Sequence, residues 1–366
     1  MSNQDSHAKE YIKLLSICKY YIDSYHALYN LKTEKEEELN LIYNKIKTEF
    51  IDSKKSLPTN IIKDILEIIP YNNRYANSYL YLAKLISDEY QVKEVNNVIP
   101  ISSFLFFKKY GIKLNKSVDF EKIQFENPDI HTENTIYRAI MYDDLKRFIA
   151  FTEKEGFNEN RILKCSLYPH PGYTLLEFCC YHGAVDCFKF LRTKFKSEIT
   201  QWCLILSFLG RNQEIMSECL KYQKPDYECM EFAIISHNID FVAFLMNEFE
   251  LRISIYDCGK YNNLAAFLVF FDQTNDINKC FAYSSMFNIP SLCEFFLSCG
   301  LSINTCFYDG RTALHCAAYN NSKETAEYLI SHGANINQKD QYKKPLFILQ
   351  QKDIIKKLPN ILFHMV

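Results

Sequence analysis

Residues 131–366 predict an all-α solenoid, a row of stacked helix pairs, and residues 1–130 predict a helical domain in front of it. Three observations carry this. With Ala317 taken as the small residue of a first helix, equivalent positions recur at Ala139, Cys179, Ser207, Ala233, Cys258 and Ser284. Three residues before each lie Ile136, Leu176, Leu204, Met230, Ile255, Phe281 and Leu314, and nine residues after each lie Phe148, Phe188, Met216, Val242, Phe267, Cys293 and Ala326. Columns that hold over seven units suit a solenoid, because each pair buries its face only against its neighbours. In the first 110 residues, apolar residues recur at three- and four-residue steps between Pro and Gly stops. Finally, 48% hydrophobic content with only 9 Gly and 10 Pro in 366 residues gives an ample core and little room for long loops.

In chain order, Ala8 to Leu31 reads as one amphipathic helix with the stripe Leu14, Leu15, Cys18, Ile22, Tyr25 and Leu28. Thr33 opens a second, with Glu36 as capping-box partner and Leu39, Ile42, Ile46 and Phe50 buried. The acidic run Glu36 to Glu38 is a solvated first turn that suits the helix dipole. A shorter helix, Asn60 to Ile69, closes at Pro70. Arg74 to Tyr90 follows, then the aromatic Ser102 to Lys109, ended by Gly111. Lys113 to Glu133 is a connector.

The best-formed unit is DGRTALHCAAYNNSKETAEYLISHGANINQKD, Asp309 to Asp340. Asp309-Gly310 is a turn at a loop tip, and Thr312 stands where a helix N-cap is needed with His315 three residues on. Ala317 and Ala318 are small enough for close helix approach, and Gly333 ends the second helix in a left-handed turn. With Gly310, Thr312-Ala313-Leu314-His315, Ala317-Ala318, Tyr328-Leu329-Ile330 and Gly333-Ala334, this unit resembles an ankyrin repeat.

Between successive small residues the steps are 40, 28, 26, 25, 26 and 33, so only the last has full ankyrin length. The missing stretch of roughly seven residues is about one hairpin loop, which predicts degenerate, mostly finger-less middle repeats. The first step is too long, which predicts a long finger over Gly156 to Gly172. That finger leads into Tyr173-Thr174-Leu175-Leu176-Glu177, where Glu177 stands in the place of the histidine.

Tyr79 to Ile86, Lys109-Tyr110-Gly111-Ile112, Tyr261 to Leu264 and Thr274 to Phe281 extend the likeness over the chain. The whole resembles an expanded family of ankyrin-repeat proteins, known mainly from parasitic protists, in which a helical N-terminal domain of unknown function precedes degenerate and then regular repeats. That resemblance implies no biochemical activity.

Other function classes are disfavoured. Lys plus Arg number 42 against 44 Asp plus Glu, without the basic excess of a nucleic-acid binder. The polar start MSNQDSHAKE is unlike a signal peptide, and no apolar run is long enough for a membrane span. The expected place is the cytoplasm, with the nucleus open. Of 14 cysteines all but Cys18 follow residue 160. Without a secretory signal they read as reduced, buried small hydrophobes. Cys179, Cys180, His182 and Cys187 lack the second pair that a zinc site requires. No phosphate loop, nucleophile elbow or kinase catalytic loop occurs, and adjacent His315 and Cys316 diverge on a helix. Neither catalytic residue, metal nor cofactor is expected. His237 and His332, at repeat turns, read as solvated or capping, and Trp202, at the position of Thr312 in its unit, as filling the gap of a missing finger.

Recognition remains: a non-enzymatic adaptor or scaffold holding a protein partner on its concave face and fingers, expected as a monomer. The exposed candidates are Phe307, Tyr308, Arg311, Tyr319 and Asn320, then Lys339, Gln341 and Tyr342 on the next finger. The apolar C-terminal end, Ile354, Ile355, Leu358, Ile361 and Leu362, reads first as a cap on the array; the alternative function is self-assembly through that end.

Overall fold

The computed structural model describes residues 3–170, 172–307 and 310–339. The C-terminal apolar end lies outside the described residues. Helix α1 (Asn3–Tyr29) is followed by α2 (Glu36–Ile46), α3 (Pro58–Ile68), α4 (Ala76–Glu89) and α5 (Pro100–Tyr110). Then come α6 (Ile136–Met141) and α7 (Leu145–Thr152), the short strands β1 (Leu163–Lys164) and β2 (Gly172–Tyr173), and α8 (Leu175–His182) with α9 (Val185–Phe190). Among the described residues five further pairs follow: α10 (Gln201–Gly210) and α11 (Gln213–Leu220), α12 (Tyr227–Ile235) and α13 (Ile239–Phe249), α14 (Ile255–Lys260) and α15 (Leu264–Thr274), α16 (Ile277–Ser284) and α17 (Pro290–Ser298), α18 (Ala313–Tyr319) and α19 (Lys323–Ser331). The fold is all-α, a solenoid of helix pairs.

The small-residue column is buried throughout, and so are both apolar columns except at Ile136 and Met216, which are half-buried. A fourth column is visible only in the structure. Four residues after each small residue stand Asp143, Gly183, Arg211, His237, Asn262, Asn288 and Asn321, all with positive φ between 50° and 67°. The next residue's N–H then returns to the small residue's carbonyl, as Asp144 to Ala139 (2.8 Å), Asn263 to Cys258 (2.8 Å) and Ser322 to Ala317 (2.8 Å). That bond satisfies a carbonyl the helix end would leave open. Gly183 is also forced by crowding, since a Cβ there would lie 2.4 Å from the Gly210 carbonyl oxygen, and one on Gly210 would lie 2.0 Å from that of Cys180.

The connections between pairs vary as the spacings predict. The 153–174 stretch carries a finger in which Leu163 pairs antiparallel with Tyr173 and Lys164 with Gly172. Only Asn275 and Asp276 separate α15 from α16, whereas 299–312 forms the long connection before α18.

Several expectations are corrected. No capping box forms between Thr33 and Glu36: α2 starts at Glu36, and Thr33 Oγ1 accepts instead from the Lys35 N–H at 3.1 Å, a local turn that takes the hydroxyl first. In α1 the buried stripe is Leu14, Cys18, Tyr21, Tyr25 and Leu28, with Leu15 exposed and Ile22 half-buried. In α10 the residue that caps, as Thr312 was expected to, is Thr200 rather than Trp202, because the helix begins two residues earlier; Thr200 accepts from the Cys203 N–H at 3.2 Å. Trp202 packs on Tyr173 of the finger and on Phe232, with centroids 5.8 and 6.1 Å away. His237 is buried rather than solvated, its ring stacked 3.9 Å from that of Tyr29.

The chain forms two compact units, each taking residues from both sides of position 130. One comprises His26–Thr48 and Leu57–Arg252; the other takes the chain before His26, Glu49–Ser56 and, of the described residues, the chain from Ile253 onward. Within the first, α6 packs on α8, α8 on α10 and α10 on α12, and Tyr29 and Asn30 meet the turn residues His237 and Arg211. Within the second, α14 packs on α16 and α16 on α18. There Tyr21 donates to Asn262 Oδ1 at 2.7 Å and packs its ring 5.8 Å from that of Phe287. In each unit, N-terminal chain therefore docks on the left-handed turns.

Candidate functional site

The first helices of the last three pairs build an aromatic cleft in the second unit. Tyr256 sits one residue past the apolar column of α14, Tyr283 one residue before the small column of α16, and Tyr319 ends α18. Their registry follows from helical period: a position next to a buried column turns by about 100° toward the groove. The Tyr256 and Tyr319 hydroxyls lie 3.4 Å apart, with ring centroids at 6.5 Å. Burial and this hydroxyl contact both push the Tyr256 phenol well above its ordinary range. Arg311, Met286, His315 and Cys316 complete the lining of a small cavity of about 10 Å³. That is room for about one water molecule, so the cleft presents its rings as a surface rather than as a pocket.

The expected partner-binding residues divide. Phe307, Arg311 and Asn320 are half-buried rather than exposed. Phe307 packs 5.2 Å from the Tyr283 ring, its N–H donates to the Arg311 carbonyl at 3.1 Å, and the Asn320 amide donates to the Met286 carbonyl at 3.4 Å. Arg311 lines the cleft, and Tyr319 stands 56% exposed at its rim. Lys339 is exposed. Tyr308, Gln341 and Tyr342 lie outside the described residues. Sequence reasoning missed Tyr256 and Tyr283, although their places beside the columns were available as a signal.

The helix that carries Tyr319 is fixed at its start by His315. The Thr312 N–H donates to His315 Nδ1 at 3.2 Å, and the Thr312 hydroxyl lies 2.9 Å from the same nitrogen. Nδ1 therefore accepts, which makes this the unprotonated ring nitrogen. His315 is buried in this role. At the long finger the corresponding pair is Thr174 and Glu177, a full capping box: the Thr174 N–H donates to Glu177 Oε2 (2.7 Å) and the Glu177 N–H to Thr174 Oγ1 (3.3 Å).

None of the 14 cysteines is in a disulfide; Cys299 and Cys306 are exposed and the rest buried. Burial pushes the thiols of Cys18, Cys165, Cys229 and Cys293 up to about 12, where the thiolate is scarce. Among the described residues no three His, Cys, Asp or Glu side chains group as metal ligands, and no helix is long and apolar enough to cross a membrane.

Residues 251–340, which hold the pairs α14/α15, α16/α17 and α18/α19, match the family described as ankyrin repeats (3 copies). The chain carries ankyrin repeats. Just before and overlapping them, residues 195–270 match a domain of unknown function, DUF3447. No curated protein matches the chain. Among solved structures, the ankyrin repeat domain of Bcl-3, described as a unique member of the IkappaB protein family, is 16% identical with a TM-score of 0.27, covering 61% of this chain and 96% of that one. The human ASB11 ankyrin repeat domain is 15% identical at TM-score 0.27, covering 59% and 91%. The ankyrin repeat is in general a non-enzymatic interaction fold, and its presence supports a protein-protein interaction module.

Proposed function

We propose that the chain is a non-enzymatic adaptor whose C-terminal repeats hold a segment of a protein partner at the cleft of Tyr256, Tyr283, Arg311 and Tyr319. The observation that carries this reading is the rim: a tyrosine 56% exposed stands over a cavity lined by two further tyrosines and an arginine. Aromatic and Arg side chains set around a desolvated pocket are the composition of binding hot spots. A partner that lays an apolar side chain against these rings would cover groups whose positions are already fixed by helix packing, so little ordering entropy opposes binding. Residues 1–130, as a helical domain, would hold a second partner or seal the array. The work would take place in the cytoplasm, with the protein a monomer in its free state.

The test is affinity capture from the protein's own cell extract with the wild-type chain and with Tyr319→Ala plus Arg311→Ala. Loss of about 2 kcal/mol or more of binding to a discrete partner is expected, with the melting curve unchanged. A partner captured equally by both chains would remove the cleft from consideration.

A further inference from the structure

A second cavity, of about 170 Å³ and open to solvent, lies in the unit formed by His26–Thr48 and Leu57–Arg252. Three cations line it, Lys32, Arg74 and Arg211, and no lining residue is a carboxylate. That is a local excess of positive charge on a chain whose formal net charge is -2.

Arg211 is the unusual member. It occupies a left-handed turn (φ 55°) where its counterparts in the other pairs are mostly Asn, Asp or Gly, residue types that tolerate this conformation better than arginine does. Its guanidinium donates to Asn30 Oδ1, the Ser236 carbonyl and, at 3.4 Å, the Tyr29 carbonyl. All are neutral acceptors. Its Nε is buried and has no hydrogen-bond partner among the described residues. Burial pushes its pKa down, the sign of a charge held away from water without an anion beside it. Arg74 likewise spends one nitrogen on the His182 carbonyl at 2.9 Å, and among the described residues neither arginine nor Lys32 has an ion pair. Natural proteins seldom bury an uncompensated charge, and guanidinium groups match phosphate geometry. Tyr71 and Tyr75 also line the cavity and offer ring surface for an apolar body.

From this we propose a binding site for a small phosphate monoester with an aromatic body, its dianion held by Arg74, Arg211 and Lys32. The site is independent of the partner cleft and stands or falls separately from it.

The test is calorimetric titration of the full chain at neutral pH and low salt with phenyl phosphate, alongside inorganic phosphate. Lys32 is exposed, so Lys32→Glu leaves the fold intact, which circular dichroism checks. Phenyl phosphate is expected to bind, with affinity reduced about fivefold in Lys32→Glu and at least about tenfold in Arg74→Gln. No binding at roughly 10 mM probe, or affinity unchanged in both variants, overturns the site. Equal affinity for inorganic phosphate overturns the assignment of an aromatic body.

Discussion

The two fingers of the array feed helices with the same start and different chemistry. After the long finger, α8 begins Thr174-Leu175-Leu176-Glu177; after the C-terminal one, α18 begins Thr312-Ala313-Leu314-His315. Both third residues reach back to the Thr backbone N–H. Glu177 has a second oxygen, and Oε1 accepts from the Thr200 hydroxyl at 2.6 Å, the residue that caps α10. A carboxylate at this position thus ties one repeat's cap to the next, whereas the imidazole contributes a single acceptor and caps within its own repeat. The comparison teaches that the histidine of the regular repeat can be exchanged for a group that couples neighbours.

The largest expected effect in breaking this contrast is Glu177→Ala, which removes a buried box and the link to Thr200 together. A loss of about 3 kcal/mol in urea unfolding is expected, and Glu177→Gln should recover part of it. His315→Ala should cost less, about 1–2 kcal/mol, and should act on α18 amides in hydrogen exchange while sparing α16. Thr200→Val tests the link itself: a loss of about 1 kcal/mol, with a double-mutant cycle against Glu177→Gln that does not add. Additive behaviour would mean that the two caps are independent.

A smaller, pH-dependent difference comes from the other end of α8. Burial, with the charges of Arg74 and His131, holds His182 well below its ordinary pKa, and its Nε2 lies 2.7 Å from the Tyr168 hydroxyl. The unfolded chain takes up that proton more readily, so this residue's contribution is present at neutral pH and lost as pH falls through the ordinary histidine value of about 6.5. Glu67 works the other way. Burial lifts its carboxyl to about 7, so the native state binds the proton first and gains stability as pH falls through that value. Stability measured between pH 8 and 5 should fall more steeply on the acid side in Glu67→Gln and less steeply in His182→Gln.

Much of the fold was legible because burial repeats. The three columns located all seven helix pairs, and the uneven steps located both fingers. The left-handed column was equally present in the sequence, as Asp143, Gly183, Asn262, Asn288 and Asn321, but Arg211 and His237 interrupt it. These two stay in an unfavourable backbone region because Tyr29 and Asn30 hold their side chains, a contact between residues some two hundred positions apart that no local period reveals. The candidate site was legible in part for a related reason. Tyr319 and Arg311 could be placed from the repeat to which they belong, whereas Tyr256 and Tyr283 come from less regular units and join them only through stacking. The capping role of Glu177 was foreseeable as a change of chemistry; its second bond was not, because Thr200 lies in another repeat.

The left-handed turn column has one more consequence. Within each pair the turn keeps a constant offset from the small residue, while the connection between pairs runs from two residues before α16 to 22 before α8. Insertions and deletions can therefore be absorbed in the connections between pairs without disturbing the turns inside them. Evolution of such a chain can rewrite what the fingers present while the turns that receive the N-terminal helices keep their spacing, so new specificity and old architecture can be inherited separately.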